Sequence, residues 1–168
     1  MYKGENGIDS FNKILQDIFN PKIDQNEIKY MDVVYREGDK VLKLENDPDN
    51  NVFNGDIGYI TDITNGDITI DFDSNIVKYN TKDLSTIKHG YAISVHKAQG
   101  SEFKIVFMPI TMQYKAMLYK KLIYTGVTRA KYSLTLIGSK QAFLYSVENT
   151  NAYERRTDLK EKLLQNIL

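Results

Sequence analysis

The segment between Val41 and Leu84 constrains the fold most, because it alternates short apolar stretches with tight turns. VLKLE and DITIDFD alternate apolar and polar residues, IGYITDI is rich in β-branched residues, and IVKYN follows. Asn65-Gly66 is typical of a two-residue hairpin turn, and residues 54–56 and 73–75 predict two more turns. Strands this short bury too little surface as an open hairpin, so the segment predicts a small closed β-barrel.

The sequence on both sides of this segment predicts helices and buried strands. GIDSFNKILQDIFNP carries apolar residues at helical spacing, at Ile8, Phe11, Leu15, Ile18 and Phe19, before Pro21 ends the pattern. YAISVH, FKIVFMPI and SLTLIGS read as buried strands, whereas 113–131, KQAFLYSVEN and a tail with Leu159, Leu163 and Ile167 on one side read as helices. Buried strands alternating with helices predict a mainly parallel sheet covered on both faces. We therefore expect an α/β layer domain of residues 1–36 and 88–168, with the barrel of residues 37–87 inserted.

Composition excludes several classes of protein. The chain has 168 residues, of which 42% are hydrophobic, enough for a buried core. It has no cysteine and two histidines, which excludes disulfides and thiolate metal sites and argues against a zinc site made by protein ligands. It contains no apolar run long enough to span a bilayer and no signal-peptide pattern. We expect a cytoplasmic protein with no resident metal and no membrane partner.

Charge is divided unevenly along a chain whose formal net charge is +0. Residues 37–85 contain eleven acidic residues and four lysines, a net charge of −7, whereas residues 86–168 contain thirteen basic and five acidic residues, a net charge of +8. Such a division is compatible with two differently solvated faces or with two surfaces for different partners. The basic half is the better place for phosphate contacts.

The polar loop after YAISVH is the first candidate site. Ligands of open α/β sheets bind at the carboxyl ends of the strands, where this loop would lie. The loop supplies His96, Lys97 and Gln99, then Gly100, where a backbone can approach a ligand closely, and then Glu102. Backbone amides there could cradle phosphate and the carboxylate could hold a sugar hydroxyl. A plain polar turn between two strands is the alternative.

Arg129 in YTGVTRAK is the second candidate. If the helix continues past Gly126, then Leu118, Leu122, Thr125 and Arg129 fall within an arc of roughly 80°, which extends an inward apolar face with an arginine. A buried arginine must pair, snorkel, or project into a cleft toward an anion. A salt bridge at the helix end is one interpretation. A guanidinium delivered to a transferring γ-phosphate is the other.

Together, SVHKAQGSEF and YTGVTRAK resemble motifs V and VI of superfamily 1 helicases, and most closely those of the RecD-like group, which includes the alpha subunit of exodeoxyribonuclease V. The chain departs from the group's pattern at Ser94, Ala98 and Gly126, where the pattern has threonine, serine and alanine. MYKGENGID resembles the start of the second motor domain, REGDKV and VFNGDIG the inserted SH3-like barrel, and LTLIGSK the last core strand. The resemblance implies an α/β fold with a RecA-like parallel sheet and an inserted SH3-like barrel.

The resemblance also implies a role for each matching position. Arg129 would be the arginine finger on the γ-phosphate of ATP, Glu102 would bond the ribose, and Gly100 would allow close approach. Four residues would face single-stranded DNA: Ser94, His96, Lys97 and Gln99. Such enzymes move 5′ to 3′ along DNA as ATP binding and hydrolysis close and open the cleft between two RecA-like domains.

The sequence lacks two parts that ATP hydrolysis needs. It has no G-x-x-x-x-G-K-[ST] phosphate loop and no Asp-Glu pair after an apolar strand to hold Mg²⁺. We therefore expect a C-terminal fragment of a larger helicase that is inactive alone, with ATP and Mg²⁺ held mainly by the N-terminal motor domain of the same polypeptide, and with other exonuclease V subunits as candidate partners. Two alternatives stay open: a non-enzymatic module that binds nucleic acid or protein through the barrel, and the motor part of a conjugative relaxase-helicase.

Overall fold

The computed structural model describes residues 7–150, which divide between Ser101 and Glu102 into two compact units. Helices and strands in both units confirm the α/β class. Within the described range, no helix has the length and apolar character needed to cross a membrane. The predicted tail helix lies outside the described residues. The predicted division into residues 1–36 with 88–168, and 37–87 as an insert, remains a prediction.

The first unit opens with helix α1, Ile8–Phe19, which ends just before Asn20-Pro21. A hairpin follows, made of strands β1, Glu27–Tyr30, and β2, Val33–Arg36, which pair antiparallel with Glu27 opposite Arg36. The sequence analysis did not predict this hairpin.

Five further strands form one antiparallel sheet in the order β6-β5-β4-β3-β7. Their bounds are β3 Lys40–Lys43, β4 Ile57–Thr64, β5 Asp67–Phe72, β6 Asn75–Tyr79 and β7 Ile87–His89. Asn65 and Gly66 both have positive φ, at 55° and 86°, as a tight β4–β5 hairpin turn requires. The strands and turns predicted between Val41 and Leu84 are confirmed.

The barrel core lies between this sheet and the β1–β2 hairpin. Strand β5 alternates strictly, with Ile68, Ile70 and Phe72 buried. Side chains of the hairpin, Ile28, Tyr30 and Val33, pack against the same core. Each large apolar side chain buried in this way stabilises the fold by about 1.5–3 kcal/mol relative to exposure.

The second unit is built on a parallel pair of strands, β8 Phe103–Ile110 and β9 Ala130–Gly138. Helices α2, Lys120–Val127, and α3, Lys140–Glu148, belong to the same unit, and a 3₁₀ stretch, Met112–Met117, precedes α2. Gly138 must be glycine, because a Cβ there would lie 1.9 Å from the Ile110 carbonyl oxygen. This unit therefore supplies the predicted parallel pairing with helical connections.

The structure corrects three sequence-based expectations. YAISVH is not a strand, because no strand among the described residues pairs with it. The helix predicted over 113–131 is a 3₁₀ stretch followed by α2, which ends at Val127 and leaves Arg129 outside it. SLTLIGS is a strand, but most of its residues are exposed, since nothing in the described part of its unit covers both faces. The helix predicted at the start of the chain is present as α1, in which Ile18 and Phe19 are exposed and Asn12 and Gln16 are buried.

Candidate nucleic-acid and nucleotide site

The loop singled out in the sequence is a hydrogen-bonded turn, which we call the 94–100 turn. The Ala98 amide donates to the Ser94 carbonyl at 3.0 Å, and the Lys97 amide donates to the Ser94 hydroxyl at 3.3 Å. Ser94 thus caps a single helical turn, as a serine before helical backbone often does. The turn places the side chains of His96 and Gln99 at the surface.

Gly100 ends this turn in the left-handed region, at φ +86°, where glycine has no steric cost. A Cβ built there would have no atom within 4 Å, so the space above the backbone is open. The close approach predicted for Gly100 is therefore sterically available. Ser94, His96, Lys97, Gln99 and Gly100 all belong to the first unit.

Glu102 and Arg129 belong to the second unit and lie beside each other at its sheet edge. The Phe103 amide donates to the Arg129 carbonyl at 2.8 Å, and Phe103 pairs with Ala130. The two residues therefore directly precede the first paired residues of neighbouring parallel strands. This is the amino end of strands β8 and β9, whereas the strand over 91–96, from whose carboxyl end the loop was predicted to leave, is not formed.

Arg129 is half-buried and bonds to the end of the helix that it follows. Its Nε donates to the Thr125 carbonyl at 3.1 Å, and Nη2 donates to the Thr128 hydroxyl at 3.1 Å. A cation also suits the negative end of a helix dipole. The guanidinium is held at the C-terminal turn of α2, so the argument that placed it on an inward helix face was wrong.

Lys97 reaches from the 94–100 turn to the barrel. Its ammonium donates to the Asn54 side-chain oxygen at 2.8 Å and, more weakly, to the Leu44 carbonyl at 3.5 Å. Leu44 and Asn54 belong to the connection between β3 and β4. Lys97 therefore links two parts of the first unit that are about 50 residues apart in the sequence.

The first unit contains a buried carboxylate, Asp39, which was not predicted from the sequence. Asp39 is 0% exposed. Its two oxygens accept five hydrogen bonds from α1, β2, β7 and the segment after β7, and the donors are Gln16, Asn20, the Arg36 amide, His89 and Tyr91. We call this set of residues the Asp39 network. Burial alone would raise the pKa of the Asp39 carboxyl, but the hydrogen bonds from His89, Asn20 and Arg36 outweigh burial, so that its pKa lies below the ordinary value.

A second polar contact from α1 fixes the chain just before the 94–100 turn. The Asn12 side chain donates to the Ala92 carbonyl at 2.9 Å and accepts from the Ala92 amide at 2.8 Å, so that it pairs with the backbone as a neighbouring strand would. Asn12, Gln16 and Asn20 are spaced four residues apart and share one face of the helix. This run of amides was the sequence signal that could have identified the buried face.

Two helicase families match this chain, each over part of its length. The family described as the ATP-dependent RecD-like DNA helicase SH3 domain matches residues 11–72, and the UvrD-like helicase C-terminal domain matches residues 89–137. The ATP-dependent RecD2 DNA helicase of Deinococcus radiodurans is 36% identical over 143 residues, which cover 85% of this chain and 20% of the relative. The chain belongs to the RecD-like helicase family. The RecBCD enzyme subunit RecD of Buchnera aphidicola subsp. Acyrthosiphon pisum is 32% identical, over 90% of this chain and 26% of that protein.

Solved structures place this RecD-like chain in the same fold as a helicase. Pif1 helicase from Bacteroides in complex with ADP-AlF3 and single-stranded DNA superposes with a TM-score of 0.59 at 15% identity, over 94% of this chain and 43% of that one. Bacteroides Pif1 bound to single-stranded DNA gives a TM-score of 0.55 at 16% identity, over 94% and 44%. The fold is therefore the predicted one, RecA-like with an SH3-like barrel.

The RecD-like chain spans a fifth to a quarter of the length of these two curated relatives. The structure brings the predicted DNA-facing residues together in one turn, and it brings Glu102 next to Arg129. Their roles remain predictions. Within residues 7–150, no group of three His, Asp or Glu side chains is placed to hold a metal ion.

Proposed function

We propose that this chain supplies the second motor domain of an ATP-dependent 5′-to-3′ DNA helicase of the RecD-like group. The observation that carries the proposal is the 94–100 turn, which is capped by Ser94, exposed at His96 and Gln99, and ends at an open left-handed Gly100. It lies in the part of the chain that matches a helicase C-terminal domain.

In this proposal the 94–100 turn contacts the backbone of single-stranded DNA. Hydroxyl, imidazole and amide groups, here those of Ser94, His96 and Gln99, bind phosphate and sugar without reading sequence. A helicase that moves along any sequence needs contacts of this kind. Lys97 lies on the same turn, but its ammonium is hydrogen-bonded to the barrel.

The nucleotide would meet Glu102 and Arg129, which precede adjacent strands in the second unit. A carboxylate can accept a hydrogen bond from a ribose hydroxyl, and a guanidinium neutralises the charge that builds up on the transferring γ-phosphate. The bonds from Arg129 to Thr125 and Thr128 would set the direction of the guanidinium fork.

The remaining parts of the catalytic centre are assigned to a first motor domain. Because the sequence has no phosphate loop, we assign the hold on ATP and Mg²⁺ mainly to that domain, where Mg²⁺ would neutralise charge on the β- and γ-phosphates. The proposed partners are that N-terminal domain of the same polypeptide and single-stranded DNA, in the cytoplasm. Several relatives are RecBCD enzyme subunits, so other exonuclease V subunits are further candidate partners.

The test is ATP hydrolysis, with and without single-stranded DNA, by this chain, by a separately produced phosphate-loop domain of the same helicase, and by their mixture. We expect DNA-stimulated hydrolysis only in the mixture. Arg129→Ala should lower kcat about 10³-fold or more while ATP binding is retained.

Lys131→Ala is the matched control, because it removes one positive charge two residues away at an exposed position. It should leave kcat within about twofold of the wild type. A mixture carrying Arg129→Ala that hydrolyses ATP at the wild-type rate would contradict the arginine-finger role. A mixture that associates without any activity would contradict the motor assignment.

A further inference from the structure

The 94–100 turn is attached to the barrel by the side chain of Lys97. The ammonium lies 2.8 Å from Asn54 Oδ1 and 3.5 Å from the Leu44 carbonyl oxygen, so both acceptors come from the β3–β4 connection. The backbones also come close, because a Cβ on Gly55 would lie 3.8 Å from the Lys97 carbonyl oxygen. The turn therefore lies near the barrel at Gly55 and is hydrogen-bonded to it through the lysine.

The acceptor side of this contact is itself held in place. The Asn54 amide donates to the Asn46 side chain at 2.9 Å, and the Gly55 amide donates to the Lys43 carbonyl at 2.9 Å. Gly55 has φ +103°, which a residue with a side chain rarely adopts. The connection thus presents Asn54 Oδ1 from a hydrogen-bonded loop, which limits the positions that the lysine ammonium can take.

The other end of the turn is also anchored. The Asn12 side chain bonds to both the amide and the carbonyl of Ala92, two residues before Ser94, and the Tyr91 hydroxyl donates to Asp39 at 3.0 Å. Of the proposed DNA-facing side chains, Ser94 and His96 lie between an anchor at 91–92 and an anchor at 97, and Gln99 follows the second anchor by two residues. A displacement of the barrel would therefore be transmitted to the turn.

We infer that Lys97 is a positioning residue, which couples the barrel to the DNA-facing turn, and not a phosphate ligand. Two of the three donors of its ammonium are directed at Asn54 and Leu44, so the ammonium is held against the β3–β4 connection. The DNA-facing role of the turn rests on the proposed function, whereas the link between Lys97 and the barrel does not. The acidic barrel would then hold the 94–100 turn in position without contacting phosphate itself.

The link can be tested without DNA by measuring the acetylation rate of individual lysines with mass spectrometry on the full chain. Asn54→Ala should raise the rate at Lys97 about two- to tenfold relative to exposed Lys104, because a lost hydrogen bond of this type is worth about 0.5–1.5 kcal/mol. Asn54→Asp keeps an acceptor and adds a charge, so it should lower the rate. An unchanged rate at Lys97 in both variants would overturn the link.

The positioning role is tested by the salt dependence of single-stranded DNA affinity. Each lost phosphate contact reduces the slope of log K against log salt by about 0.7 for single strands. Lys97→Met should weaken binding without changing that slope, Asn54→Ala should have a similar effect, and the double variant should be no weaker than the single ones.

A slope that falls by about 0.7 in Lys97→Met, with normal binding by Asn54→Ala, would make Lys97 a phosphate ligand and overturn the inference. If the wild-type chain does not bind single strands, the proposed DNA role of the turn fails. In that case the acetylation rates still decide whether Lys97 is tied to the barrel.

Discussion

Replacing Asp39 with asparagine removes one charge and one acceptor from the centre of the Asp39 network while keeping the shape of the side chain. Oδ2 accepts from Gln16 at 2.6 Å, from the Arg36 amide at 2.7 Å and from His89 at 3.1 Å. An asparagine amino group in the position of Oδ2 would face the Gln16 side-chain amide and the Arg36 backbone amide. Neither can become an acceptor, since the Gln16 amide also donates to the Val34 carbonyl and a backbone N–H can only donate.

The variant should therefore turn its amino group toward the Oδ1 side. There the Tyr91 hydroxyl can rotate to accept, but Asn20 loses the oxygen to which it donates at 2.7 Å. A buried donor left without its acceptor costs about 1–3 kcal/mol, and the remaining hydrogen bonds lose their charge assistance. We expect Asp39→Asn to lower the free energy of unfolding by about 2–4 kcal/mol. Total stabilities are about 5–15 kcal/mol, so this is a large share.

Urea unfolding followed by far-ultraviolet circular dichroism measures this loss, which suits a chain without tryptophan. Asp62→Asn is the matched control, because Asp62 is an exposed residue of the same barrel, and it should change the free energy by less than about 0.5 kcal/mol. If Asp39→Asn unfolds at the wild-type urea concentration with an unchanged slope, the Asp39 network does not hold the first unit together.

The remaining predictions concern acid and two glycines, Gly58 in strand β4 and Gly100 at the end of the 94–100 turn. The pKa of Asp39 is lowered in the folded chain. Its contribution to the free energy of unfolding is therefore complete above the unfolded pKa near 3.8 and is lost as pH falls through the lower folded pKa. The free energy of unfolding, measured as a function of pH, should fall below about pH 4, and this fall should be smaller in Asp39→Asn. Gly58→Ala should lower the melting temperature by an amount equivalent to about 1–3 kcal/mol, because its Cβ would lie 2.6 Å from Ile70 Cγ2 and 2.9 Å from the Asp71 carbonyl oxygen. Gly100→Ala, with open space but φ +86°, should cost about 1 kcal/mol, and equal losses in the two variants would contradict this reasoning.

The strands of the barrel were predictable because each has one face toward the core. Strand β5 buries every second residue, and its turn with β4 has the Asn-Gly sequence that such turns need. The β1–β2 hairpin was missed because its strands have four residues each and its turn uses Met31, at φ +52°, where glycine or asparagine would be expected.

The orientation of α1 could not be read from hydrophobicity. Its apolar residues recur at helical spacing, yet the residues that the helix buries are Asn12 and Gln16, because these amides bind a buried carboxylate and an extended backbone segment. Such pairing depends on residues 23 to 80 positions away in the sequence. Local periodicity contains no information about those partners.

The candidate site was predictable as a set of residues but not as a geometry. The spacing of SVHKAQGSEF located a polar turn and a glycine where a ligand can approach, and both are present. The bond from Lys97 to Asn54 was not predictable, since it depends on where the folded barrel places the β3–β4 connection relative to the 94–100 turn. The position of Arg129 was misjudged because α2 ends at Val127, one turn earlier than its pattern indicated.

The contact between Asn12 and Ala92 sets an order for folding, because it joins residues 80 positions apart. Pairing of β3 with β7 brings Val41 opposite His89, which shortens the open loop between Asn12 and Ala92 to about 30 residues and lowers the entropic cost of closing it by about 1 kcal/mol. The barrel should therefore form before Asn12 of α1 bonds to Ala92, in the segment that leads to the 94–100 turn. Substitutions that slow closure of the barrel would then delay assembly of the proposed DNA-binding surface even where they touch none of its residues.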